Sequence, residues 1–253
     1  MHPIIRLVNR NLTISLNPGF LIWQIIFPLI YIFVAGFAYT SLIKEVPFGS
    51  KDLAYPAFLA SGMIGFNIMN STLVSGIIIW NDRRHGMFEQ IMSGPFTRAH
   101  YILSNIVTVG IVGLISATLI AFVGYPVFFN SIEFSFFTIP MIVFAAITGS
   151  ILFGSIASII STRIHSSEGF NVIINTSFLF FAFVSTAFYP AEGAPEPLAS
   201  VFYVNPLTYL VDVVRAGIFG NITDFVIIEM GVLVVLASIL FVVATKLLTR
   251  LDF

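Results

Sequence analysis

The stretch NDRRHGMFEQIMSGPFTR, residues 81–98, carries three of the eleven Lys and Arg in a chain of 253 residues. Arg83, Arg84 and Arg98 stand here between two long apolar runs. Solubility does not ask for them. The chain is 58% hydrophobic and 9% charged, holds 28 Phe and has a mean hydropathy of +1.01, far outside the usage of soluble domains. Such a composition belongs to an integral membrane protein, and a charged island inside it reads as a segment held outside the hydrocarbon.

A hydrocarbon core about 30 Å thick needs roughly 20 apolar helical residues, since each backbone N–H in lipid must find its partner within its own segment or in a closed barrel. Stretches without charge occur at 11–43, 53–81, 99–132, 134–162 and 169–191, and a sixth at 230–245 reaches back to Phe225 if Glu229 sits near a helix end. They are continuous rather than alternating, which excludes barrel strands. The expected fold class is an all-α integral membrane protein with six transmembrane helices, a single transmembrane domain over 1–253. The apolar part of the first run, Phe20 to Ile43, is too long for a signal h-region, so this helix is expected to be retained. Before it, Ile4, Ile5, Leu7, Val8 and Leu12 recur at near-helical spacing. That predicts an amphipathic N-terminal interfacial helix over 1–17, with a frayed terminus as the alternative.

Six spans put both termini on one side. Arg6, Arg10, Arg83, Arg84, Arg98, Arg163, Lys246 and Arg250 then share that side, eight of the eleven, against Lys44, Lys51 and Arg215 opposite. By the positive-inside rule the termini and the 81–98 loop are cytoplasmic, and the expected location is the plasma membrane. The connections NSIEFS and STRIHSSEG are short, so only 81–98 and the extracellular segment 190–224 are long enough to hold structure of their own.

Within 81–98, Met87, Phe88, Ile91 and Met92 fall on one helical face, Arg84, Glu89 and Gln90 point away, and Gly94-Pro95 ends the turn. This predicts a short interfacial helix with a basic entrance. Its arginines fit two roles that charge alone leaves open: anchors of topology among lipid head groups, or a docking surface for a cytoplasmic partner. In 190–224, Pro190, Pro195 and Pro197 forbid a continuous helix. Asn205 is then a good N-cap, Pro206 fits the first helical position and Gly220 supplies a left-handed stop. Between them Leu207, Leu210, Val211, Val214 and Ile218 make an apolar stripe, and Asp212 and Arg215 are spaced to pair on the surface. An amphipathic, partly re-entrant helix capping the bundle is expected.

Several chemistries are missing. With no Cys there are no disulfides, thiolate nucleophiles or cysteine metal sites. His2, His85, His100 and His165 show no metal-ligand spacing, so neither a metal nor a catalytic site is expected. No basic run with interleaved aromatics suits nucleic acid. No G-x-x-x-x-G-K-[ST] is present to cradle a triphosphate. The spans lack acids apart from Glu229, which argues against a proton- or ion-coupled carrier and for an external energy source.

DRRHGMFEQIMSGPFTRAHYILSNI after the second span and NPLTYLVDVVRAGIFG before the last resemble the two marks of ABC-2 type transporter permeases. The drug-exporter and nodulation-factor-exporter permeases are the most similar members, and the likeness covers essentially the whole chain. His85 and Met87 depart from the acid and Thr that usually flank Gly86. The resemblance implies a non-catalytic membrane subunit, paired as a homodimer or with a paralogous permease and embedded in lipid. Two separate ATP-binding-cassette ATPase subunits would then hydrolyse ATP with Mg in trans, and this chain would bind no cofactor itself. It also implies that 81–98 is the coupling helix, which by position assigns Arg83, Arg84, His85, Glu89 and Arg98 to the ATPase contact.

Inside the spans, Ala146, Ser150, Gly154 and Ser158 recur at i+4, as do Gly113, Ala117 and Ala121, a pattern that lets helix backbones approach closely. Asn67, Ser71 and Ser75 form a polar stripe with Asn70 beside it, while Asn171 and Asn175 precede Phe178, Phe181, Ser185 and Phe188. Polar faces in lipid turn inward. An uncharged amide and aromatic wall suits a drug-like, lipid or lipo-oligosaccharide substrate, so Asn67, Asn70, Phe178 and Phe181 are candidates for a substrate path at the dimer axis, with helix packing as the other reading. The functional expectation is an exporter permease; a scaffold or assembly protein and a channel are the readings from other classes.

Overall fold

Each of the six uncharged stretches contains a helix, because an apolar segment in lipid satisfies its backbone most simply within itself. The structure, a computed structural model, describes residues 3–16, 18–40, 42–43, 45–48, 51–128, 136–191 and 194–249. Lys44, Arg250, Asp252, His2 and the NSIEFS connection lie outside the described residues. The helices are α1 (Pro3–Ser15), α2 (Pro18–Thr40), α3 (Tyr55–Arg84), α4 (Met87–Met92), α5 (Arg98–Phe128), α6 (Thr138–Arg163), α7 (Ser167–Phe183), α8 (Leu198–Phe202), α9 (Pro206–Phe219) and α10 (Asp224–Thr249). A hairpin of β1 (Glu45–Phe48) and β2 (Lys51–Ala54) links α2 to α3, pairing Val46 with Leu53. The sequence reading had only a connection there. Both Val46 and Leu53 are buried, which gives the hairpin its inner face.

Five helices are long and apolar enough to cross a membrane among the described residues: Ile22–Thr40, Tyr55–Arg84, Arg98–Gly124, Thr138–Arg163 and Asp224–Leu248. The stretch 169–191 behaves differently. There α7 stops at Phe183 after 17 residues, about 25 Å at the usual rise, and turns carry the chain to Pro190. Asn205 explains the stop: its Nδ2 donates to Phe181 O at 2.9 Å and to Val184 O, taking carbonyls that a further turn of α7 would have used.

Contacts order the helix ends into two groups. Arg98 at the start of α5 donates to Leu248 O near the end of α10, and Arg83 at the end of α3 donates to Ser161 O near the end of α6. Trp80 stacks on Phe170 in the first turn of α7, with ring centroids 5.3 Å apart. These make one end, centred on α4. At the other end, Thr138 at the start of α6 donates to Gly217 O of α9, Asn221 before α10 donates to Phe48 O of β1, and Tyr39 meets Tyr55.

The middle of the bundle is α3, which packs on α2, α5, α6 and α9. Such all-round contact requires a helix apolar on every side, and most of α3 is buried. It also requires small residues. A Cβ at Gly62 would lie 2.0 Å from Ala187 O, and one at Gly65 would lie 2.7 Å from Val211 Cγ2. The i+4 stripe of α6 does the same work, since Ala146, Ser150, Gly154 and Ser158 are all buried.

α1 forms over 3–15, within the expected 1–17, but its buried stripe is Leu7, Asn11 and Ser15, while Ile5 is 50% exposed. It is held on α5 by polar as well as apolar contact. α9 corrects its expectation further. Asn205 caps it by accepting from Leu207 N at 2.9 Å, Pro206 opens it and Gly220 ends it at φ 68°, as the residues foretold. Yet Thr208, Val213, Arg215, Ala216 and Gly217 are buried along with the apolar stripe. The helix is wedged inside the bundle among α3, α6 and α10 rather than lying on it.

Gly62→Ala should therefore lower the melting temperature in detergent, by the equivalent of about 1–3 kcal/mol for an overpacked core. Gly231→Ala, where nothing lies within 4 Å of an added Cβ, should leave it unchanged or raise it. Equal melting of the two variants by differential scanning fluorimetry would contradict the packing assigned to α3.

Candidate functional site

Asp82 organises the α4 end. It is 8% exposed; its Oδ1 lies 2.6 Å from Arg10 Nη2 of α1 and its Oδ2 accepts from Tyr101 Oη of α5 at 2.8 Å. Asn11 Nδ2 donates to Asn105 Oδ1 at 2.9 Å beside it. One carboxylate thus joins α1, α3 and α5, and charge-assisted bonds of this kind are the strong ones. In the sequence Arg10 stands only among the charges of the cytoplasmic side, and Asp82 has no assigned role. The available signal was an acid at the very edge of an apolar run, directly before two arginines.

Gly86, at φ +69°, lets the chain turn sharply from α3 into α4. Of the four apolar residues expected on one face of α4, Phe88 and Ile91 are buried, Met92 is half-buried and Met87 is 41% exposed. Phe88 meets Tyr101 edge-on, with centroids 5.1 Å apart, so α4 rests on the residue that also holds Asp82. Beside it opens a cavity of about 680 Å³, lined in part by Arg83, Arg84 and Glu89, with His165 and Glu168 from the α6–α7 connection opposite. The Arg84 guanidinium lies over Trp80, 5.1 Å from its ring centre. His85 and Arg98 do not line this cavity: His85 Nδ1 sits 2.9 Å from Asn81 O, and Arg98 turns to α10. His165 and Glu168 were not singled out beforehand, because only folding brings their loop to α4.

A second cavity, of about 280 Å³, lies between α2, α3 and α7 and is lined by Trp23, Phe27, Asn70, Asn175 and Phe178 among others. It gathers two of the four path candidates. Asn67 instead donates Nδ2 to Gln24 O at 3.0 Å, within a knot where Ser71 and Ser116 both donate to Gln24 Oε1 at 3.0 Å. Phe181 packs edge-on against Phe153, with centroids 5.4 Å apart. Residues three apart on a helix diverge by about 60°. That is enough to turn Asn67 and Phe181 into the packing while Asn70 and Phe178 face the cleft.

The Asp212–Arg215 pair exists, at 3.2 Å, but Arg215 is buried and Asp212 half-buried rather than both lying on the surface. Arg215 is 1% exposed and its guanidinium lies 3.6 Å from the centre of the Phe58 ring. It donates to Thr186 O at 2.7 Å, Phe58 O at 3.4 Å and Ser61 Oγ at 3.3 Å as well as to Asp212. Burial pulls the guanidinium down to about 10, resisted by Asp212, so it remains charged at neutral pH. Burial likewise pushes the Asp212 carboxyl up, against the pull of Arg215. This charge is held in the interior because four of its five N–H donors are answered by protein and one ring face lies against it.

A helical bundle with five helices long and apolar enough to cross a membrane among the described residues, an organised polar end and an uncharged cleft is the architecture of a multi-pass membrane protein. The ABC-2 type transporter family model matches residues 4–219, and the chain belongs to that family. It is similar to Nodulation protein J of Rhizobium leguminosarum bv. viciae, 24% identical over 228 residues that cover 88% of this chain and 84% of the relative. It is also similar to the putative transport permease ycf38 of Pyropia yezoensis, 27% identical over 252 residues, 93% of this chain and 83% of the relative. The ycf38 protein of Cyanophora paradoxa is 26% identical over 209 residues, 79% of this chain and 68% of the relative.

Arg215→Ala removes four hydrogen bonds from an enclosed site and leaves the half-buried Asp212 without its cation, and should destabilise the protein by on the order of 3 kcal/mol, read as a large drop in melting temperature. Arg215→Lys, which keeps the charge but loses the planar fork, should fall between Ala and wild type. Unchanged melting of Arg215→Ala would show that these contacts hold nothing together.

Proposed function

We propose that this chain is the permease subunit of an ATP-binding-cassette exporter. It works as a homodimer with two separate ATPase subunits, which hydrolyse ATP with Mg, and it moves a hydrophobic or amphiphilic substrate out of the cell. The chain crosses the plasma membrane six times, α7 serving as the short span, with the α4 end and both termini cytoplasmic. α7 supports this reading because its first turn meets Trp80 at the α4 end and its last carbonyls meet Asn205 at the other.

The observation that carries the proposal is the Asp82 clasp beneath α4. A six-residue helix cannot transmit force by itself. Seated on Tyr101, which shares Asp82 with Arg10, it passes a push from an ATPase to α1, α3 and α5 together. The adjoining cavity, with Arg83, Arg84 and Glu89 on one wall, is where the partner docks. The cleft holding Asn70 and Phe178 forms half of the substrate path, completed by the second copy.

The test is reconstitution with a candidate ATP-binding-cassette ATPase from the same organism, in lipid discs. Arg84→Glu should reduce copurification of the ATPase at least several-fold while melting stays near wild type. Asn70→Ala with Phe178→Ala should preserve ATPase binding but abolish stimulation of ATP hydrolysis by substrate. Failure of any ATPase to bind the wild-type chain would end the exporter reading, and unchanged substrate stimulation in the double variant would remove the path.

A further inference from the structure

Glu229 is the sixth residue of α10 and is 3% exposed. Its Oε2 is buried and has no hydrogen-bond partner among the described residues. The sixth position is near the start of the helix, where the sequence placed it. Its carboxyl faces a cavity of about 210 Å³ at the hairpin end of the bundle, which α9 and the turns after α7 also line.

The nearby cation is already engaged. Arg215 borders the same cavity, but its donors go to Thr186, Phe58, Ser61 and Asp212, and one face of its guanidinium covers Phe58. Asp212 accepts from Thr186 Oγ1 at 3.4 Å as well as from Arg215. With that pair satisfied, Glu229 Oε2 is the polar atom on this cavity left without a hydrogen bond among the described residues. An ionisable side chain buried in a membrane segment marks a binding or transport function unless a partner for it is found.

The walls say what kind of partner. Phe48, Tyr203 and Phe225 border the cavity, and aromatic faces together with a carboxylate are the groups that hold an organic ammonium. An anion would meet Glu229 and be repelled. A bare metal ion finds no group of three or more His, Cys, Asp or Glu that could hold it among the described residues. The volume lies below the roughly 300–1,000 Å³ of pockets for drug-sized ligands, so the site suits a head group and not a whole amphiphile.

We propose that this cavity binds the ammonium head group of an amphiphile, with Glu229 as counter-ion and Phe48, Tyr203 and Phe225 as its aromatic walls. Two sources share this chemistry: a free alkylamine and a membrane lipid with an ethanolamine head group. The proposal goes beyond the exporter reading, and because binding is measured on this chain alone it does not depend on any ATPase.

The experiment is isothermal titration calorimetry on the full chain in dodecyl maltoside, a carrier without charge or ammonium. The probes are n-octylammonium, n-octanol and short-chain phosphatidylethanolamine and phosphatidylglycerol. n-Octylammonium should bind at least tenfold more tightly than n-octanol, and Glu229→Gln should weaken it at least tenfold. Phe225 is 54% exposed at the cavity rim, so Phe225→Lys leaves the buried network alone and places a tethered ammonium at the entrance. It should weaken n-octylammonium equally, and it decides the matter if Glu229→Gln does not fold. Binding of phosphatidylethanolamine but not phosphatidylglycerol makes membrane lipid a source; binding of n-octylammonium alone assigns the site to free amines. Equal affinity for n-octanol and n-octylammonium, or an n-octylammonium affinity that stays within twofold of wild type in every variant that folds, overturns the proposal.

Discussion

A guanidinium withdrawn from water must have its N–H groups answered by protein, and the answers given to Arg215 define the hairpin end of this bundle. Phe58 and Ser61 belong to α3, Thr186 to the turns after α7, and Asp212 to α9 itself. No two of these segments can separate without exposing a buried charge. The close approach at Gly62 follows from the same cluster, since an added Cβ would strike Ala187 O and reach within 3.0 Å of Arg215 Nη2. Short α7 belongs to it too, because Asn205 holds its last carbonyls while capping α9.

The α4 end uses the same principle with different residues. Asp82 is the buried charge there, and Arg10, Tyr101 and the neighbouring Asn11–Asn105 contact tie α1 and α5 to α3. Between the two ends the bundle keeps to neutral polar groups, such as the Gln24, Asn67, Ser71 and Ser116 knot, and to small residues at helix crossings. Neutral hydrogen bonds in membranes are worth little individually, about 0.6 kcal/mol on average. The helices are therefore pinned firmly near their ends and more weakly through the middle, where the cleft with Asn70 and Phe178 lies.

How far the site could be read from the residues depended on the range of the interaction. The N-cap, proline and glycine of α9 lie within one helix and its flanks, so its bounds were legible. Its depth was not, because Asp and Arg three apart look the same on a surface helix as in a buried one. Arg10 and Asp82 are 72 residues apart, and nothing in either neighbourhood names the other. The cavity beside α4 was half visible: Arg83, Arg84 and Glu89 share one segment, but His165 and Glu168 reach it only through the packing of α6 on α3. Asn67 and Asn70 carry the same side chain, and only the position of α2 sends one into the knot and the other to the cleft.

The sequence by itself determined that the chain is a membrane protein of apolar helices with one charged island, because the energy of placing charge and backbone in hydrocarbon is large and depends only on composition along the chain. Its two ordered marks were enough to point to the ABC-2 type family. Tertiary structure alone decided which charges are buried, that Arg215 is enclosed, that Asp82 is shared among three helices and that Glu229 Oε2 has no hydrogen-bond partner among the described residues. Those outcomes rest on contacts between distant segments, and their sign turns on whether a matching group arrives across the bundle.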